Sequence, residues 1–461
     1  MRRFSFAVMV CCLFFSMKSS GQALPPLKIS ENHRFFTAGG KPFFWLGDTG
    51  WLLLTKLNRE ETIKYLDTRA KQGFNVIQVM VVHGGTDATV YGVPALDNKS
   101  VATPHVTAGS TFGKDGEYDY WDHMDWVIKQ AAQRHLYVAL VAVWGSVVKA
   151  DHITPAQAKT YAEFLAKRFR SNSNIVWMNG GDIQGTDSLN TWKAIGATLR
   201  ANDPNHLITY HPRGRTQSST WFHNESWLDF NAVQSGHRNY AQDTSKEDLK
   251  YGEDNWRYIE ADYNKIPTKP TLDAEPSYEK IPWGLHDLTL PLWGAADVRR
   301  YGYWSVFAGA AGYTYGNNDV MQFHQPKDKK IGAYGSKTPW TESINDPGAN
   351  QMDYLKKLML MRPYMDRVPD QSLIADGQGE KYDRLIATRG KNYAFVYTYT
   401  GRDMDIDASK LAGSKVKASW YNPRNGQTTA IGEFAKSKNL KFNPPGEPKD
   451  GNDWVLILDS I

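Results

Sequence analysis

The chain has 461 residues, of which 41% are hydrophobic and 22% charged, with a formal charge of +5. That is enough sequence for a large core and a second, smaller domain. Its only cysteines, Cys11 and Cys12, lie near the start, so the rest of the chain carries neither disulfides nor a thiol nucleophile.

Residues 1–23 read as a secretory signal peptide. Arg2 and Arg3 precede the apolar run Phe4 to Phe15, and Gly21-Gln22-Ala23 supplies small residues for cleavage. The run is too short to span a bilayer, and no other stretch is long and apolar enough to do so. Losing Arg2, Arg3 and Lys18 with the signal takes the formal charge from +5 to +2. No basic block remains that would suit a nucleic acid. The mature protein is expected to be exported, to the periplasm or the cell surface, as a monomer.

Phe43 to Asp48 is an apolar run ending in a carboxylate, a first strand. Asn58 caps a helix with Glu60 and Glu61 in its first turn, and Gly73 ends it. Asn75 to Val82 is a second buried strand, ending at His83. About 35 residues rich in Gly, Thr and Asp follow, a length that is usually functional in a compact domain. A helix over Tyr120 to Arg134 leads to a third strand, Tyr137 to Trp144. Thr154-Pro155 reads as an N-cap and a first helical proline. Asn174 to Asp182 is a fourth strand that breaks at Gly180 and Gly181 before a carboxylate. Trp192, Ile195 and Leu199 mark a helix, Leu207 to His211 a fifth strand, and Asp229 to His237 a sixth. A polar helix with Trp256 and Ile259 precedes Lys269 to Pro276, a proline-bounded strand with Glu275 at its tip. A helix over Leu292 to Phe307, an eighth strand over Ala311 to Tyr315 and a closing helix over Tyr354 to Arg362 complete the series.

Short, continuously apolar strands alternating with amphipathic helices predict a parallel sheet covered on both faces. A (β/α)8 TIM barrel over residues 24–366 fits better than an open doubly wound sheet, because no Gly-rich dinucleotide fingerprint follows the first strand. From Ser372 onward the runs are short and alternating, separated by turn formers such as Asn422-Pro423-Arg424-Asn425-Gly426. This predicts a small antiparallel β-sandwich over residues 367–461.

Barrel chemistry sits at the C-terminal strand tips. Those tips carry Asp48, His83, Trp144, Asp182, His211, His237, Glu275 and Tyr315. Each has a structural reading of its own: a turn-capping Asp, a satisfied histidine, a core Trp. Their convergence on one face favours substrate binding. Asp182 and Glu275 end the fourth and seventh strands, across the mouth from each other, and two carboxylates flanking one bond are what glycoside hydrolysis needs. Burial and the charge of Glu275 are expected to raise the pKa of Asp182, while Glu275 stays ionised and hydrogen-bonded. Asp273 shares Glu275's side of a regular strand and is expected to support it. With no H-E-x-x-H, Cys/His cluster, G-x-S-x-G elbow or phosphate-cradling loop, nothing calls for a metal or another cofactor.

Three stretches carry a family resemblance: Trp45-Leu46-Gly47-Asp48-Thr49-Gly50-Trp51, Trp177-Met178-Asn179-Gly180-Gly181-Asp182, and Leu272-Asp273-Ala274-Glu275-Pro276. Together they resemble glycoside hydrolase family 140, the apiosidase-like barrel proteins of gut Bacteroidetes. The resemblance spans nearly the whole mature chain. It implies a retaining enzyme acting on plant pectin, releasing apiose-linked side chains of rhamnogalacturonan II. It implies Asp182 as acid/base and Glu275 as nucleophile, with Trp51 among the substrate-binding residues and a pectic oligosaccharide as partner. Related barrel hydrolases more often place Glu at the fourth-strand position, so Asp182 is a shorter acid. The C-terminal domain resembles a collagen-binding type by analogy only. It is expected to support the barrel or bind glycan weakly, and a chain ending near Asp366 to keep its site geometry if it stays folded. Two other readings stay open: a retaining hydrolase of another plant glycan, and a non-catalytic glycan-binding barrel.

Overall fold

Helix starts follow capping chemistry. The Asn58 side chain accepts the Glu61 N–H while Glu61 reaches back, opening α1 (Arg59–Lys71). Asp119 and Asp122 do the same for α2 (Tyr120–Gln133). Thr154, with Pro155 in the first turn, opens α3 (Pro155–Phe169). α4 (Leu189–Asn202), α5 (Trp256–Tyr263), α6 (Ala295–Phe307) and α7 (Pro347–Leu360) follow. These elements are taken from a computed structural model that describes residues 24–243, 251–328 and 330–461. The expected signal segment, residues 1–23, lies outside the described residues.

Eight strands run between the helices: β1 (Trp45–Thr49), β2 (Val76–Met80), β3 (Tyr137–Val141), β4 (Ile175–Ile183), β5 (Ile208–Pro212), β6 (Asn231–Gln234), β7 (Thr271–Asp273) and β8 (Gly312–Tyr315). Parallel pairing joins β1 through β5 in succession, joins β6 to β7 and β7 to β8, and returns from β8 to β1. The seam lies between β5 and β6. There the Asp229 N–H donates to Ile208 O (2.9 Å) and Thr209 Oγ1 to Phe230 O (2.7 Å). Thr216–Gln217 adds a short antiparallel strand on β6. The result is the expected TIM barrel, nearly closed.

Strand alternation decides what faces the barrel interior. Trp45 Nε1 donates to Thr314 Oγ1 (3.1 Å), Thr314 to Gln78 Oε1 (3.2 Å), and Gln78 Nε2 to Ala274 O (2.9 Å), forming a polar layer across the interior. With Trp45 inside, Asp48 faces outward. It is fully buried against α1, accepting from Arg69 Nε (2.7 Å) and Tyr65 Oη (2.6 Å). Tyr315 is in register with Asp48 and also turns outward, donating to Glu279 Oε2 (2.6 Å). Neither therefore contributes to the mouth, contrary to the expectation from their place at strand tips.

Three short strands ahead of β1 close the barrel floor. Leu27–Ile29, Phe36–Ala38 and Lys41–Phe43 form an antiparallel sheet, and Phe36 packs against Trp45 and Phe230, at 5.8 and 5.0 Å between ring centroids. Trp45 begins β1 and Phe230 immediately precedes β6, so this sheet covers the end of the barrel opposite the mouth.

The C-terminal domain is the expected antiparallel sandwich. Its larger sheet comprises β9 (Val368–Pro369), β10 (Ile386–Arg389), β11 (Tyr393–Thr398), β12 (Lys415–Tyr421), β13 (Thr428–Ala435) and β14 (Trp454–Ser460), in the order β9-β10-β11-β14-β12-β13. Ile374–Asp376, Met404–Ile406 and Leu440–Phe442 form the smaller sheet, with an apolar core between the two. The domain is not loosely tethered. Tyr397 stacks on Tyr303 of α6 (4.7 Å, 9°), and Arg299 of α6 holds Asp453 with two bonds of 2.8 Å. Among the described residues, no helix is long and apolar enough to cross a membrane.

Replacing Asp48 with Ala leaves the Arg69 guanidinium buried without its carboxylate, which costs about 3–5 kcal/mol. The variant should show a markedly lower urea midpoint with kcat retained. A loss of kcat at unchanged stability would return Asp48 to the mouth.

Candidate active site

β7 ends at Asp273, whose carboxylate points outward to Ser235, Asn255 and Ser305 at 2.7, 3.1 and 2.8 Å. Burial pushes its pKa up to about 6, against those bonds. The next two amides, of Ala274 and Glu275, both donate to Val233 O, at 2.9 and 3.3 Å. One carbonyl serving two successive amides is a bulge, and a bulge breaks the alternation of side chains. Glu275 thereby turns into the mouth, while Asp273 supports the barrel–helix layer instead of sharing Glu275's side.

Glu275 is 7% exposed and lies between two imidazoles. His237 Nε2 is 3.2 Å from Oε1, and His211 Nε2 is 3.0 Å from Oε2. The first is an aligned hydrogen bond; the second is a close polar contact off the hydrogen-bond line. The Asp182 N–H donates to His211 Nδ1 (3.4 Å), which leaves the ring proton on Nε2, on the side of Glu275. Burial alone would raise the pKa of Glu275. The His237 hydrogen bond and the close approach of both imidazoles outweigh it and hold the carboxyl at about 2.

Asp182 reaches the mouth through a second irregularity. Gly180, Gly181 and Asp182 take φ of 85°, 114° and 50°, and the register between β4 and β5 slips there. A Cβ at position 180 would meet His211 O at 2.5 Å, and one at 181 would meet the Trp144 ring at 2.7 Å. Only glycine fits those two positions, and Asp tolerates the third better than a branched residue would. The Asp182 side chain is exposed at the mouth yet crowded by the cleft walls. That desolvation raises its pKa first, and the charge of Glu275 adds to it; His211, the Gly214 N–H and His237 pull the other way.

Asp182, Glu275 and His237 share an open cleft of about 180 Å³ with Arg213, Arg215 and Arg238. Asp243 pairs with Arg215 (2.5 Å) and is the one carboxylate paired with these three arginines among the described residues. Burial and the charges of Arg215 and Arg213 lower the pKa of Arg238. Gln234, Tyr278 and Tyr334 line the same cleft. These residues were missed in the sequence, although Arg213-Gly214-Arg215 and Arg238 directly follow the fifth and sixth strand tips.

Of the expected residues, Asp182, His211, His237 and Glu275 come together. Trp144 and exposed His83 form an aromatic flank beside them, with rings 6.3 Å apart and Trp144 5.7 Å from His211. Trp51 is buried beneath, 5.4 Å from both Trp144 and His211. Asp48 and Tyr315 stay outside the cleft.

A family model described as "Apiosidase-like, catalytic domain" matches residues 30–366. A second, "Putative collagen-binding domain of a collagenase", matches residues 368–459. A solved structure titled "Glycoside hydrolase" is 47% identical with a TM-score of 0.89, covering 95% of this chain and 97% of its own. A crystal structure of a glycoside hydrolase family 5 protein from Bacteroides vulgatus is 45% identical with a TM-score of 0.87, covering 94% and 93%. No curated protein matches.

Because the folded-state pKa of Glu275 is depressed, its contribution to stability is present above its ordinary value of 4.5 and is lost as the pH falls towards about 2. A Glu275→Gln variant should therefore lose melting temperature less steeply than the wild type across that window. Parallel curves would mean that the imidazoles do not hold the carboxylate.

Proposed function

This chain belongs to the apiosidase-like family of glycoside hydrolase catalytic domains, and from that premise we propose a retaining mechanism in which Glu275 is the nucleophile and Asp182 the acid/base. One observation carries the reading: an ionised, doubly contacted Glu275 shares a cleft with Asp182, whose pKa is pushed the opposite way. Glu275 attacks the anomeric carbon while Asp182 gives its proton to the leaving oxygen. Esterification removes the charge of Glu275, so the repulsion that kept Asp182 protonated disappears. Asp182 then takes a proton from water, which opens the glycosyl ester and restores both groups, with net retention.

We propose that the chain is a member of glycoside hydrolase family 140 and that apiose-linked side chains of rhamnogalacturonan II are its substrate. Arg213, Arg215 and Arg238 around the cleft support an acidic pectic partner, since guanidinium groups match carboxylates bidentately. Export of a monomer to the periplasm or cell surface belongs to the same proposal, supported by the charged and apolar pattern of residues 1–23.

Asp182→Asn should lower kcat by about 10²- to 10⁴-fold, the usual share of general acid–base catalysis. Wild-type kcat/KM should fall as the pH rises through the raised pKa of Asp182, and Asp182→Asn should lack that alkaline limb. Glu275→Gln should abolish turnover while oligosaccharide binding by calorimetry persists. Proton NMR of the first product should show the retained anomer; an inverted one rules out Glu275 as a covalent nucleophile. Arg238→Gln should raise KM for acidic pectic fragments more than for neutral glycosides.

A further inference from the structure

We propose that the C-terminal domain is part of the active-site scaffold and acts through Tyr382, a positioning residue for the segment that carries His237 and Arg238. The proposal rests on the glycosidase reading of the cleft. His237 and Arg238 lie just after β6, and Glu253 lies just before α5.

Glu253 is completely buried, and its two oxygens tie three parts of the molecule together. Oε2 pairs with Arg300 of α6 at 2.6 Å, both side chains being fully buried. Oε1 accepts the Tyr382 hydroxyl (2.8 Å) from the C-terminal domain and the backbone N–H of Tyr240 (3.3 Å). Rings reinforce the bonds. Tyr382 lies 5.6 Å from Tyr240, and the Arg300 guanidinium sits 4.7 and 5.0 Å from the rings of Tyr382 and Tyr399. The C-terminal domain thus supplies one donor to the buried carboxylate and two aromatic faces to the buried guanidinium. Tyr240 is two residues from Arg238 and three from His237. A shift of Tyr240 is transmitted along that short stretch of chain to both.

The near end of the segment is held separately, by the Gly284 N–H and Trp293 Nε1, which donate to His237 O at 2.8 and 3.3 Å. The Gly236 N–H also donates to Glu275 O (3.2 Å), so His237 and Arg238 lie between anchors on both sides, and one of these runs through the second domain. This departs from the expectation that a chain ending near Asp366 keeps its site geometry.

Tyr382→Phe in the full chain tests the inference, because it keeps the ring and deletes only the hydroxyl. We expect kcat to fall about ten-fold, less than the roughly hundred-fold that a 1 Å misplacement costs. Melting temperature should drop by no more than about 3 °C, and amide exchange over residues 236–243 should quicken. In a His237→Ala background, or His237→Gln should that fail to fold, the same change should leave kcat where it is. Unchanged kcat, or equal effects in the two backgrounds, overturns the proposal. If the wild type turns over no glycoside at all, the glycosidase reading falls, and the exchange experiment alone decides the brace: unchanged exchange over residues 236–243 overturns it.

Discussion

A carboxylate that must remain charged inside protein is the constraint the rest of the site serves. An unpaired buried charge costs several kcal/mol, so Glu275 persists as an anion only because His211 and His237 approach its two oxygens. Each imidazole comes from a different strand tip, and the backbone of a third, at Asp182, orients His211. Four neighbouring strands, β4 to β7, thus build one electrostatic unit. The same unit separates the two carboxyl groups chemically, because the histidines that lower Glu275 leave its charge free to raise Asp182.

The domain boundary obeys the same physics. Arg300 with Glu253 and Arg299 with Asp453 are buried ion pairs, and each is completed by residues on both sides of the boundary. Removing one partner from such a pair is far more costly than exposing an apolar face of similar size, since a stranded charge cannot relax. That makes the sandwich domain an integral wall of the fold. The stack of Tyr397 on Tyr303 adds apolar area to the contact that the ion pairs orient.

Much of this was legible in the sequence because its cues are local. Asn58 with Glu61 and Thr154 with Pro155 announce helix starts through bonds made within one turn. The apolar runs ending at Asp182 and Glu275 announce strand tips, and Gly180-Gly181 announces backbone that other residues cannot adopt. The arginines after β5 and β6 were visible as residues but silent as a site, since nothing local says that the two loops converge.

From its sequence alone, then, this protein is determined to be a barrel with a sandwich domain and a pair of carboxylates at strand tips, because side-chain period, capping and turn chemistry act over a few residues. Which way a tip residue points was decided only by tertiary structure. Asp48 and Tyr315 sit at tips and face the helices; Glu275 faces the mouth because one carbonyl, Val233 O, takes two amides. A one-residue bulge reverses every side chain beyond it, and it forms only where a neighbouring strand from far along the chain supplies the register.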